Sequence, residues 1–332
     1  MSRQTANKVS VVEAAYLPAS SESAWLQQIV TAAAPLVSDG HGALACLYDG
    51  AYGQALRGTA HASVDLAISH RPFFNALDLV EPEFADRTWR SLSFGMCSET
   101  ASLSTLPALK PLADAGVVDV ININAFDPSG VGVWLGAPLG AERKRRPHEA
   151  ETWTRIAAHI GSAFRLRRRS AYAHSPNEAT AVLDTRGRIE HAQSGRVADR
   201  MRHKLREAVE RMERARGPMR RRDADGAIEL WRTLVDAELT LLDHFERGGK
   251  RYIIAVANPH EELSQVIALP QREREVVVAA AAGRSNKLIA YELGIAHSTV
   301  RVLLARAAQR FHVKSRRELV SLLRAHARSQ GL

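Results

Sequence analysis

Apolar residues recur along this chain with two periods, and the switches between them mark out its elements. Trp25, Ile29, Ala33 and Leu36 are spaced by three to four, which predicts a helix over 21–38 capped by Ser21 or Ser23. The apolar run 43–48, closed by Asp49-Gly50, predicts a short strand and a turn. Residues 73–90 are expected to be helical, with loops on either side. Val117 to Ala125 and Val131 to Leu135 then carry strand patterning, and Asp127-Pro-Ser-Gly130 joins them as an antiparallel hairpin. Trp153, Ile156, Ile160 and Phe164 predict a long helix over 148–170. Its end carries Arg165 to Arg169, where positive charge suits the helix dipole.

The pattern restarts after Ser175-Pro-Asn-Glu-Ala-Thr180. Ala181–Asp184 and Ile189–Ala192 are expected as strands around the turn Thr185-Arg-Gly-Arg188. Val197 to Ala215 places Arg and Glu at helical spacing, and a shorter helix is expected over Ala227–Leu234. Leu239–Phe245 and Arg251–Ala257, around Gly248-Gly249, predict a second hairpin. The polar stretch Asn258–Ser264 is a hinge. Three domains follow, 1–172, 176–260 and 265–332, and the expected class is α+β multidomain: two α/β modules and an all-α four-helix domain.

The last domain has the most explicit punctuation. Pro270 fits the first turn of a helix over Gln271–Ala282, and Gly283 can end it. Ser285 can cap a second helix with Ile289, Ala290 and Leu293 facing inward, and Gly294 makes a tight turn. A third helix begins at His297 or Ser298. Its buried side is Val300, Leu303 or Leu304, Ala307 and Phe311, which leaves Arg301, Val302, Ala305 and Arg306 outward. A fourth helix is expected over Ser315–Ala327, with Leu319, Val320 and Leu323 on one side. Two helices about a glycine turn, the second with a basic outer face, are the grammar of a helix-turn-helix.

Charge adds to that picture. The net charge is +9, and the segment from Leu269 to Leu332, with twelve basic and four acidic residues, supplies +8 of it. A localised basic excess suits a polyanionic partner, here double-stranded DNA. Lys287, at a helix start with exposed N–H groups, and Ser298 and Thr299 are placed for phosphates; Lys314 and Arg316 add to them. Arg301 is the candidate for a bidentate contact to guanine, with Val302, Ala305 and Arg306 beside it. Arg310 is expected to be plain surface. The runs Arg143–Arg146 and Arg220–Arg222 are candidates to assist, against the commoner case of a solvated face.

Other chemistry is sparse. Overall composition, 45% hydrophobic and 24% charged, is ordinary for a globular protein. Cys46 and Cys97 are too few for a disulfide framework or a cysteine-ligated zinc. The thirteen histidines are scattered, so no metal site and no cofactor are expected. There is no P-loop, no HExxH and no Gly-x-Ser-x-Gly elbow, which argues against an enzyme. The start of the chain lacks a signal-peptide core, and no apolar run reaches the roughly 18 residues of a membrane span, so no membrane partner and a cytoplasmic location are expected. Trp25, Trp153 and Trp231 are expected as core anchors, while Trp89 and Trp134 are candidates to line a ligand cavity, with the ligand itself unknown.

Three resemblances organise these readings. Arg272-Glu-Arg-Glu-Val276, Gly283, Ser285-Asn-Lys287, Ile289-Ala290, Leu293-Gly-Ile295, Thr299-Val300 and Val313-Lys-Ser-Arg316 stand at the spacing of the LuxR-type (GerE-like) DNA-binding domain of bacterial transcription regulators. That resemblance implies a four-helix domain, a third helix that reads the major groove, and dimerisation. The family often has a polar residue at the position of Leu303 and a basic one near Ala305. In 1–172 the order helix, antiparallel sheet, closing helix resembles a GAF-type sensory domain. In 176–260 the opening Val182-Leu-Asp184 through Gly187-Arg-Ile189 resembles a PAS-type one. Together they imply a homodimeric transcription regulator, with RNA polymerase and a small-molecule effector as candidate partners. A response regulator, a quorum-sensing regulator and an enzyme with an appended DNA reader are the alternatives. The receiver's acidic pair and the quorum sensor's Trp-Tyr-Asp pocket pattern are both missing from the sequence.

Overall fold

The computed structural model describes residues 7–49, 56–66, 80–81, 84–85, 93–100, 102–103, 110–126, 131–169, 179–192, 196–231, 234–235, 239–245, 251–257, 271–281, 284–311, 313 and 315–320. The chain falls into two units: the first runs to Arg165, and the second spans Leu166–Ala325.

The first unit begins with α1 (Lys8–Tyr16) and α2 (Glu22–Val37). Then follow β1 (Ala43–Asp49), β2 (Arg57–Val64), β3 (Phe94–Met96), a 3₁₀ turn (Cys97–Glu99), α3 (Lys110–Asp114), β4 (Asp119–Phe126), β5 (Val131–Leu139) and α4 (Pro147–Arg169). Every strand pair is antiparallel, in the order β2-β1-β5-β4-β3. Ser21, rather than Ser23, caps α2: its hydroxyl accepts from the Ala24 N–H at 3.1 Å. Trp25 stacks on Phe164 of α4 at 5.9 Å and donates its indole N–H to the Ala15 carbonyl at 2.8 Å, so one side chain joins three helices. Trp153 of α4 stacks on Phe94, which pairs with Ile123, so the helix covers the face of the sheet that carries Ile121 and Ile123.

The other face of this sheet is also buried but has a different character. The Trp134 ring lies over Gly136, where a Cβ would come within 2.2 Å of it, and the indole N–H donates to Asn122 Oδ1 at 2.8 Å. Gly132 makes the same room for Tyr48. Two elements here have no periodic signature. Helix α1 buries Val9, Val11, Val12, Ala14 and Ala15 on nearly all sides, so it shows no single apolar stripe. Strand β2 is an edge strand with mostly exposed or half-buried residues, which leaves little apolar alternation.

The second unit repeats the sheet order. β6 (Ala181–Leu183) and β7 (Ile189–Ala192) precede α5 (Arg196–Arg216), α6 (Met219–Arg222) and α7 (Ala224–Leu230). β8 (Leu234–Val235), β9 (Leu239–Phe245) and β10 (Arg251–Ala257) complete an antiparallel sheet ordered β7-β6-β10-β9-β8. Helix α5 buries Met201, Leu205, Val209 and Met212, the amphipathic stripe its spacing predicts. The turn between β6 and β7 is built on Asp184, which accepts from the Arg186 and Arg188 N–H groups, each at 2.8 Å, and from Arg188 Nε at 2.7 Å. Gly187 provides the positive φ of 76° there.

The helix expected over Ala227–Leu234 is displaced. Asp223 caps Gly226 N–H at 2.9 Å and starts it three residues earlier. Trp231 is extended and fully buried, with the Arg216 guanidinium 4.4 Å over its ring, and this anchor ends the helix so that Leu234 joins β8. Most of the helix expected over 73–90, the turns at Asp127–Gly130 and Gly248-Gly249, the hinge at Asn258–Ser264 and Trp89 lie outside the described residues.

Three further helices of this unit, α8 (Gln271–Ala281), α9 (Asn286–Leu293) and α10 (His297–Arg310), together with a helical turn at 316–320, enclose one core. It is centred on Val276, Val277, Ile289, Val300, Leu304, Ala307 and Leu319.

Candidate nucleic-acid interface

The geometry of the C-terminal helices follows from their ends. Ser285 caps α9, its hydroxyl accepting from the Leu288 N–H at 3.2 Å. Gly294 adopts φ 65° and ψ 25°, a left-handed conformation that costs a residue with a Cβ about 1–2 kcal/mol. The Ile295 N–H then closes back on the Ala290 carbonyl at 3.0 Å. Chain direction therefore changes within Gly294-Ile295-Ala296, and α9 and α10 meet at 108°. A three-residue turn and an angle between about 90 and 120° define a helix-turn-helix. Helix α10 starts at His297, without a side-chain cap from Ala296.

Val300, Leu303, Leu304 and Ala307 lie on the buried side of α10. Ser298, Thr299, Arg301, Val302, Ala305 and Arg306 are all exposed. Positions 298, 301, 302, 305 and 306 fall on one face at helical spacing. Val302 is 48% exposed, one of few large apolar side chains left to solvent among the described residues. Leu303 faces the core, so an apolar residue suits it. Lys287 is exposed in the first turn of α9. Arg316 is also exposed, and its guanidinium donates to the Arg284 carbonyl at 2.5 Å, in the segment that leads into Ser285. Lys314 and Gly283 lie outside the described residues.

The charges of the domain are sorted by burial. Glu292 is buried and pairs with Arg284 at 2.8 Å. Glu273, equally buried, lies 3.1 Å from Arg310 Nε, so Arg310 balances a core carboxylate and is not merely a surface residue. Glu275 lies 3.6 Å from Arg272. Glu273 and Glu292 are thus held on the core side by Arg310 and Arg284. Arg301 and Arg306 carry no ion pair among the described residues, and α10 itself contains no carboxylate, so its exposed charges are positive. The roles of Glu273 and Glu292 are invisible in sequence, because an acidic residue in a charged helix carries no mark of burial.

The other basic segments separate in the same way. In Arg143–Arg146, Arg143 pairs with Glu149 at 2.5 Å and Arg145 with Glu99 at 3.2 Å, inside the first unit. Both cysteines are buried and unpaired by any disulfide. Burial pushes the Cys46 thiol well above its ordinary range, and burial with the nearby Asp119 charge pushes Cys97 up to about 12. No group of three metal-ligating side chains comes together among the described residues, and no single helix there is long and apolar enough to cross a membrane.

Comparison with curated proteins finds no match to this chain. Residues 268–323 match the family described as bacterial regulatory proteins, luxR family, and they span α8 to the helical turn at 316–320. With the 108° turn and the exposed basic face of α10, this segment is a LuxR-family helix-turn-helix domain, the double-stranded-DNA-binding part of a transcriptional regulator.

Proposed function

We propose that this chain is a sequence-specific transcriptional regulator in which α10 enters the major groove and the two sheet modules are its input. The observation that carries the reading is the exposed face of Ser298, Arg301, Val302, Ala305 and Arg306, with Thr299 exposed beside it, on a helix that buries Val300, Leu303, Leu304 and Ala307. Arg301 matches the O6 and N7 acceptors of guanine, and the apolar pair Val302 and Ala305 matches a thymine methyl group. Lys287, Ser298 and Thr299 are the phosphate partners in this reading, with Lys314 and Arg316 as further candidates, and such contacts set register and contribute most of the salt-sensitive affinity.

The two sheets share one strand order, which supports reading them as related sensory modules, GAF-like in the first unit and PAS-like in the second. In this reading an effector would act on the face that carries Asn122, Trp134 and Tyr48, where polar and aromatic side chains meet. The working form is a homodimer that presents two reading helices to a two-fold operator. The effector shifts the dimer between two arrangements only as far as its affinities for them differ.

The test is selection of binding sites from a random DNA pool by the purified protein, followed by a salt titration of the selected duplex. A defined motif bound with a steep negative salt dependence is expected. Absence of any enriched motif, or weak binding indifferent to salt between 50 and 200 mM, overturns the reading. Native mass spectrometry separates the input alternatives: a bound metabolite supports the sensory reading, and an aspartyl phosphate supports a response regulator.

A further inference from the structure

Within the second unit the helix-turn-helix is docked on the sheet module that precedes it. The Tyr291 hydroxyl on α9 donates to the Ile228 carbonyl at 2.5 Å and reaches the Trp231 carbonyl at 3.4 Å, and α9 packs against β8. Tyr291 stands four residues after Lys287, so the docked face of α9 is also the face of the phosphate-facing lysine. Ile228 lies in α7, which follows α6 directly, and α6 carries Arg220, Arg221 and Arg222. By helix rise and the reach of the tyrosine, Arg222 is within about 25 Å of Lys287, less than the ~34 Å of one duplex turn.

Arg214, Arg221 and Arg222 stand apart from the ion pairs of α5 among the described residues. Nearby carboxylates of α5 are already engaged: Glu207 with Arg211, Glu210 with Arg206, and Glu213 with Arg216 and Arg251. Asp223 is taken up as the cap of α7. Arg214, Arg221 and Arg222 are exposed, and none has an ion-pair partner among the described residues. Three exposed guanidiniums without an ion-pair partner among the described residues, on the module that holds α9, are suited to duplex phosphates.

We infer that Arg214, Arg221 and Arg222 form an accessory DNA surface that grips the phosphate backbone flanking the site read by α10, extending the footprint beyond the helix-turn-helix. The inference rests on the proposed DNA-binding function. An accessory grip of this kind adds affinity and salt sensitivity without adding sequence preference.

The test uses the full chain, the motif selected as above, and two duplexes: one trimmed to the motif and one extended by about a turn on each side. R221Q/R222Q should bind the trimmed duplex like the wild type but the extended one several-fold more weakly. Its salt slope on the extended duplex should fall by about 0.9 per lost contact, so two contacts shrink the affinity loss between 50 and 200 mM salt by roughly tenfold. R221K/R222K, which keeps the charge, should restore most of the slope, and the selected motif should be unchanged throughout. Equal affinity and slope for wild type and R221Q/R222Q on the extended duplex overturn the inference alone. Loss on both duplexes alike, or a changed motif, also overturns it, since the arginines then act on the reader itself. Failure of the wild type to bind either duplex overturns the functional reading with it.

Discussion

Arg301 and Lys287 are two exposed cations of one small domain, and the proposed function gives them different work. Arg301 projects from the outward stripe of α10, while Lys287 sits in the first turn of α9. R301A is expected to lose about 1–3 kcal/mol of discrimination at a single base pair, roughly 5- to 150-fold, and to relax preference there alone. K287A should weaken binding to all sequences by a similar factor and reduce the salt slope by about one. Competition binding against a panel of single-base variants separates the two, and a uniform loss in R301A would remove it from base reading. The motif put both residues forward as candidates. It did not put forward Glu273 and Arg310, because their pairing across two helices depends on packing that no local spacing encodes.

At the scale of elements, capping side chains decide boundaries that periodicity leaves loose. Ser21, Asp223 and Ser285 each place a helix start. Asp184 does the same for the hairpin β6–β7, and its charge makes the turn sensitive to pH. Partial burial works to raise its carboxyl, but hydrogen bonds from Arg188 and Arg186 and the Arg188 charge outweigh it, so the folded value lies below the ordinary one. A carboxyl depressed on folding contributes stability that is present above its unfolded value near 3.9 and lost as pH falls through the lower folded value. D184N should therefore melt below the wild type at pH 7, and the gap should close as the pH is lowered through that acidic window. A gap that stays constant down to pH 2 would show that the carboxylate charge is not what holds the turn.

At the scale of the molecule, one strand order appears in both units, and the second sheet is the platform on which α9 rests. The joint is a side chain reaching a backbone carbonyl 63 positions earlier in the chain. Y291F removes that donor and should cost about 0.5–1.5 kcal/mol, seen as a lower denaturant midpoint with an unchanged m-value. Hydrogen exchange should quicken in α7 and α9 together. Exchange that quickens in neither would mean that the joint contributes nothing to holding the reader.

What the sequence determined by itself is what local physics writes in short windows. Ser285, Gly294 and the repeat Val300, Leu304 and Ala307 specify caps, a turn and a buried stripe within some 25 residues, so the helix-turn-helix and its outward face were legible. The hairpins β4–β5 and β9–β10 were legible for the same reason. Tertiary structure alone decided the rest. Helix α1 is buried on nearly all sides and β2 hardly at all, so neither carries a period. The strand orders join β1 to β5 and β6 to β10 across long stretches of chain, where pairing reflects which faces can be covered together. The sorting of arginines into those that balance buried carboxylates and those that face solvent is likewise a property of the packed core. It leaves Arg301, Arg306, Arg221 and Arg222 open to solvent and engages Arg284 and Arg310.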